Sequence, residues 1–253
     1  MPTHPASVGG SNLIVALARS EQEVREAQRL RYHVFAGEMG AKLASADEGL
    51  DRDIFDPYCE HLLVRDRDTN AVVGTYRILT AEQAERVGAF YSETEFDLAN
   101  LLPLAPKLTE VGRSCVHPAY RQGATISLLW AGLADYMLTR RYEYLIGCAS
   151  LSLGDGLRPV LDLYRRLKPV HAGPEEWRVF PRRPLPLPNL PPVEPSQPMP
   201  PPPLIKGYLR LGAYICGDPA WDQEFNTADL LMLLPMSRMN PRYARHFLGK
   251  VCV

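Results

Sequence analysis

Half of the prolines in this chain, twelve of 24, fall between Pro181 and Pro203. Proline lacks the backbone donor and fixes its own torsion, so this stretch can be neither helix nor central strand. It reads as an extended, partly polyproline loop, either a spacer insertion or a docking motif. Only fifty residues follow it. They carry one helical pattern and one strand, too little for a core of their own. The expectation is one domain over 13–253 whose sheet is completed after the loop, with 1–12 as a disordered tail.

Ahead of the loop, helical and strand patterns alternate. Ser20 with Glu23 three residues on is a capping box, opening a helix to about Phe35 with Val24, Ala27, Leu30, Arg31 and Val34 on one face. His61 to Arg65 and Val72 to Leu79 read as a hairpin turned by Asp66 to Asn70. Thr109 to Val116 is a strand, Ile126 to Thr139 a strong helix, Tyr144 to Ala149 a buried strand. Pro159 sits at the start of a helix through Val160, Leu163, Tyr164 and Leu167. Trp177 to Phe180 is a short strand. Beyond the loop, Leu204, Tyr208, Leu211 and Ile215 share a helical face that Gly217 would cap, and Thr227 to Leu234 is a strand. Strands alternating with helices imply a layered α/β sheet, and the hairpin makes it mixed.

Charge narrows the function classes. With 28 Lys plus Arg against 29 Asp plus Glu the chain is near neutral, unlike a nucleic-acid coat, so no nucleic-acid partner is expected. No apolar run approaches the ~20 residues of a membrane span, and Met1 to Asn12 shows no secretory pattern. The five cysteines, Cys59, Cys115, Cys148, Cys216 and Cys252, form no CxxC pair. They suit reduced cytoplasmic thiols, without disulfides or a metal centre.

The segment from Thr109 to Trp130 carries the chemistry. A strand runs into His117-Pro118, an Arg121-Gln-Gly-Ala-Thr125 turn, then the long helix. A glycine turn at a helix start presents several backbone N–H groups, which with the helix dipole bind phosphate oxygens. Arg121 adds a charge-assisted contact. The same glycine also suits a plain tight turn.

Here the chain resembles the GNAT superfamily of N-acyltransferases, whose strand, Pro-x-Tyr-Arg segment, glycine loop and helix recur in this order. The turn is shorter than the usual loop and lacks its second glycine, which favours acyl carrier protein over free coenzyme A as the donor. Four further pieces are similar to acyl-homoserine-lactone synthases: Arg31-Tyr-His-Val-Phe35, Asp53-Ile-Phe-Asp56, Gly74-Thr-Tyr-Arg77 and Glu110-Val-Gly-Arg113. Phe55 to Val64, Gly112 to Pro118, Leu145 to Ser150 and Asn240 to Leu248 resemble the bacterial ornithine lipid and N-acyl amino acid synthases more narrowly.

The resemblance implies a GNAT-like three-layer α/β (α+β) fold, a central mixed, largely antiparallel sheet flanked by helices. It implies transfer of a 3-hydroxyacyl chain from the phosphopantetheine of acyl carrier protein, or from acyl-coenzyme A, to the α-amino group of ornithine, with no permanently bound cofactor. Another amino acid acceptor, a signal synthase using S-adenosylmethionine, and a non-catalytic binding module are the alternatives. The catalytic group would be Glu110, as base or water-positioner, with Arg113 and Ser114. Arg31, Phe35, Asp53, Asp56 and Arg77 would bind substrate, or the arginines and aspartates would form an internal network. Val116, Arg121, Gly123, Ala124 and Thr125 would hold the phosphopantetheine arm, with a backbone N–H near Cys115 or Val116 as the oxyanion site. Cys115, His61 and His117 read as structural rather than as a triad. Between Val111 and Pro169 eight basic residues outnumber four acidic ones, a surface that would steer an acidic carrier protein. The amphiphilic product would bring transient contact with the inner membrane of a cytoplasmic enzyme.

Overall fold

The computed structural model describes residues 6–7, 12–186 and 199–239. The rest of the N-terminal tail, the middle of the proline run and the Asn240 to Leu248 segment lie outside them. A sheet strand, β1 (Ala6–Ser7), pairs with β2 (Leu13–Leu17). The first helix, α1 (Glu21–Tyr32), starts at the Ser20 cap, whose hydroxyl accepts the Glu23 N–H at 3.3 Å. It passes into a π-turn over His33–Glu38 rather than ending at Phe35. Such widened turns are rare and favour functional positions.

Strand β3 (Glu60–Asp66) and β4 (Val72–Thr80) form the expected hairpin. Thr80 then caps a short helix, α2 (Ala81–Val87), which carries too few turns for a clear period. After β5 (Phe96–Asp97) and a 3-10 stretch over Ala99–Lys107, β6 (Leu108–Val116) leads to α3 (Ala124–Thr139) and β7 (Tyr144–Ser152). Helix α4 (Leu157–His171) and β8 (Phe180–Pro181) precede the proline run, and α5 (Pro203–Leu211), β9 (Tyr214–Ile215), β10 (Ala220–Asp222) and β11 (Thr227–Pro235) follow it.

The main sheet runs β1-β2-β3-β4-β6-β7-β11-β10, with β9 beside β11, while β5 and β8 pair separately. Strands from both sides of the proline run thus share one sheet. Every pair in it is antiparallel except β6 with β7. The GNAT-like mixed sheet flanked by helices is the observed fold. Two details differ from the sequence reading. Helix α5 stops at Gly212, whose φ of +106° only glycine adopts readily, and Ile215 belongs to β9 on the sheet; Gly217 caps nothing. Trp177 closes a 3-10 turn instead of starting a strand.

Helices α3, α4 and α5 cover one face, with Leu128, Leu129, Leu161, Ile205, Leu230 and Met232 at its core. The other face buries Phe55, Phe96, Leu101 and Leu231. Each such side chain contributes about 1.5–3 kcal/mol. α1 packs there too, with Leu30, Val34 and Phe35 against Cys115.

The parallel seam positions the site. β6 and β7 pair only from Leu108↔Tyr144 to Glu110↔Ile146, then diverge. At the fork Gly147 stands so close that a Cβ there would lie 2.3 Å from the Val111 carbonyl oxygen. On its other edge β6 carries a bulge: Thr75 faces Cys115 while Arg77 faces Gly112. Arg113 takes a left-handed φ of +50° within it, a conformation of about 1–3 kcal/mol strain for such a residue.

Candidate active site

Consecutive residues of the bulge reach two different cavities. Ser114 lines an apolar one of about 580 Å³ between α3, α5 and the π-turn, walled by Phe35, Met39, Ile126, Trp130 and Leu211. Arg113 lines an acidic one of about 740 Å³. Six carboxylates there, Glu48, Asp51, Asp53, Glu95, Asp222 and Glu224, meet three guanidiniums, Arg52, Arg113 and Arg183.

The apolar cavity opens on the glycine turn. Val116, Arg121 and Gly123 line it. Gly123, at φ +98°, starts α3 with no side chain capping the first turn, so early N–H groups remain for an anion. The Arg121 guanidinium is met by Glu38 of the π-turn at 2.9 Å, an exposed pair of small worth. Ala124 is exposed; Thr125 is buried, and its hydroxyl has no partner. Beneath the cavity the Tyr76 hydroxyl lies 3.1 Å from that of Tyr208 on α5. Phe35, expected among the amino-acid contacts, sits on the apolar side instead.

A buried ion network backs the acidic cavity. Arg31, fully buried, reaches Asp51 at 2.8 Å and Asp56 at 2.7 Å. Arg77 reaches Asp53 at 2.7 Å and Asp56 at 3.2 Å. Arg113 joins Asp51 at 3.3 Å and Asp53 at 3.4 Å, donates to the Tyr91 hydroxyl at 3.1 Å, and lies over the Tyr91 and Phe225 rings. Burial raises the Asp56 carboxyl, yet Arg31 and Arg77 override it and hold it well below the usual range. His61, beneath Asp56, is pushed down to about 4 by burial and the Arg31 charge. Of this network Asp51, Asp53 and Arg113 face the cavity; Arg31, Asp56 and Arg77 do not. Asp51 lies outside every motif piece read from the sequence, so only its neighbours were legible.

Glu110 lines neither cavity. One carboxylate oxygen accepts the Tyr91 N–H at 2.6 Å, and the other accepts the Ser92 N–H at 2.7 Å and the Ser92 hydroxyl. Burial pushes its pKa up and these donors pull it back. The apolar space adjoins Ser114 to Val116 instead. Cys115 borders that space, but burial raises its thiol to about 12. His117 stacks on His33 at 5.7 Å and caps the Ala119 N–H.

Sequence reasoning also missed Glu95 and Asp229. They meet Cys148 with all three ligating atoms within 4.8 Å of one another. Burial, then Asp229 and Asp222, raise Glu95 to about 9, and burial raises Asp229 to about 6. Glu95 sits in the turn before β5 and Asp229 on β11, far apart in sequence and with no motif around either.

Residues 30–131 match the family model for an acetyltransferase (GNAT) domain. The crystal structure of the acyl-homoserine-lactone synthase LasI superposes with a TM-score of 0.54 at 14% identity, over 96% of this chain and 98% of that one. A CoA-dependent acyl-homoserine lactone synthase, BjaI, gives 0.55 at 13%, over 94% and 89%. At that identity the two likenesses speak for the fold alone. Much nearer in sequence is an L-ornithine N(alpha)-acyltransferase of Rhizobium meliloti (strain 1021), 38% identical over 94% of this chain and 84% of the relative. At that identity and extent the chain belongs to the L-ornithine N(alpha)-acyltransferase family.

Proposed function

We propose that this chain moves a 3-hydroxyacyl group from the phosphopantetheine thioester of acyl carrier protein to the α-amine of ornithine, giving lyso-ornithine lipid. The observation that carries the reading is the pair of cavities flanking the Arg113–Ser114 bulge, one apolar and one rich in carboxylates. An acyl thioester suits the first. A diamino acid, with two ammonium groups to one carboxylate, suits the second.

In this reading the arm's phosphate rests on Arg121 and the open first turn of α3. The thioester carbonyl lies against the β6 backbone beyond Glu110, where no β7 partner takes the N–H groups on that edge. An N–H near Cys115 or Val116 steadies the oxyanion. The neutral amine attacks the carbonyl carbon from the acidic side. The carbon–sulfur bond breaks, the thiolate leaves on the arm, and the amine's extra proton departs into the acidic cavity. Arg113 is the cation at the meeting point and contacts the acceptor carboxylate.

Glu110 acts as a positioning residue: its carboxyl group pins the Tyr91–Ser92 turn, and Tyr91 braces Arg113. Arg31, Arg77 and Asp56 hold the cavity wall that presents Asp51 and Asp53. Among the described residues no helix is long and apolar enough to cross a membrane. The enzyme works in the cytoplasm in this reading, meeting the inner membrane to release product.

The test is expression in a bacterial host that makes no ornithine lipid, followed by mass spectrometry of its lipids. The expected product is ornithine carrying one amide-linked 3-hydroxyacyl chain. Acylation of a different amino acid would replace the acceptor, and no new N-acyl amino acid would overturn the reading.

A further inference from the structure

The apolar cavity has a deep end that the transfer step does not explain. Its α3 wall is one stripe, Gly123, Ile126, Ser127 and Trp130, at the i, i+3, i+4, i+7 spacing of a single helix face. Gly123 stands at the mouth, so Trp130 lies about 10 Å deeper along the helix axis. Past Trp130 the stripe continues through Leu133, Ala134 and Met137. There, with Leu145, Met236 and Met239, it lines a second apolar void of about 10 Å³, too small and too apolar to hold water. Trp130 and Leu211 line both spaces. Helix α5 holds the indole in place. A Cβ at Gly207 would lie 3.2 Å from the ring's Cζ2 edge, and the Tyr208 ring packs against it with centroids 4.7 Å apart. Tyr208 is itself tied to Tyr76 on β4 through their hydroxyls.

We propose that the Trp130 indole, braced by Gly207 and Tyr208, is the stop that sets the longest acyl chain the enzyme accepts. This rests on the reading of the apolar cavity as the acyl-thioester site. A fatty tail that starts beside Ser114 to Val116 and follows the α3 stripe inward ends against the flat of a buried ring. Each further methylene then requires the ring to move, and close-packed neighbours on α5 oppose that. Without the indole the cavity joins the void behind it and gains the ring's own volume. Met236 and Met239, both partly buried, are flexible enough to repack around a longer tail. Gly207 is the other half of the device: it lines the first cavity, and the lack of a side chain there lets the indole lie flush against α5.

The test compares two chain-length profiles on the full chain, one of them independent of transfer. Thermal shift with free 3-hydroxy fatty acids, lengthened two carbons at a time, gives the longest tail that stabilises the fold. Free-thiol release from acyl carrier protein loaded with the same chains, with ornithine as acceptor, gives the limit in kcat/KM. Trp130→Leu is expected to move both limits to longer chains, with kcat/KM raised roughly tenfold for the first chain beyond the wild-type limit. Gly207→Ala keeps the core filled and adds a methyl against the ring edge. It is expected to move both limits to shorter chains. A fall in kcat at every length with the limits unmoved would mark a structural role and overturn the proposal. So would unmoved limits in Gly207→Ala where Trp130→Leu fails to fold. If the fatty-acid limits move yet no chain releases thiol, the stop stands and the transferase reading falls. If thiol is released with the wild-type limits in both variants, the reverse holds.

Discussion

At the scale of the residue, the buried charges set the pH response. Asp56 is held low by Arg31 and Arg77, so its contribution is complete above pH ~4, the unfolded value, and fades as pH falls below it. Asp56→Asn leaves two buried guanidiniums short of a partner and is expected to cost about 3–5 kcal/mol in denaturant unfolding. Its acid-side loss should also be shallower. His61 acts in the same direction by another route. The folded ring refuses a proton until about pH 4, while an unfolded one takes it near 6.5. Stability therefore falls as pH drops through that window, and His61→Gln should flatten it when melting is followed from pH 7 to pH 4. Glu95 has the opposite sign, because its folded carboxyl stays protonated to about 9. The fold then loses stability as pH rises from ~4, and Glu95→Gln should raise the melting temperature more at pH 8 than at pH 5. Much of the ion network was legible in short motifs, since Arg31, Asp53, Asp56, Arg77 and Arg113 lie within them. Asp51 and Glu95 were not, because only the fold brings them to one cavity, nor was Asp229, which the fold sets against Glu95.

At the scale of the element, long segments with a clear period were readable and short ones were not. α3, α4, β4, β6, β7 and β11 each bury one or both faces over nine or more residues. Strands of two or three residues such as β9 and β10 have too few positions to alternate. The end of α5 was misread because Ile215 sits at a helical spacing yet pairs on the sheet with Met232. Two substitutions probe the elements around the site. Gly147→Ala sets a Cβ against the Val111 carbonyl, which as backbone cannot swing aside. It is expected to cost at least ~1–3 kcal/mol by overpacking and to widen the β6–β7 fork. Gly123→Ala meets a left-handed backbone, costing about 1–2 kcal/mol, and distorts the first turn of α3. KM for the acyl donor should rise with little change in KM for the acceptor. A larger change in acceptor KM would place the donor arm elsewhere.

For the whole molecule, the parallel seam and the β6 bulge explain why two unlike cavities adjoin. Diverging strands open the sheet, and the bulge sends neighbouring side chains, Arg113 and Ser114, to opposite compartments. One compartment is mainly apolar and the other concentrates carboxylates, the division that the proposed transfer from a greasy thioester to a cationic amine calls for. The most direct measurement is free-thiol release by the purified chain given 3-hydroxyacyl carrier protein and one amino acid at a time. Turnover with ornithine well above that with neutral amino acids of equal length is the predicted result. Equal rates for charged and uncharged amines, or no release with any of them, would contradict the two-cavity account.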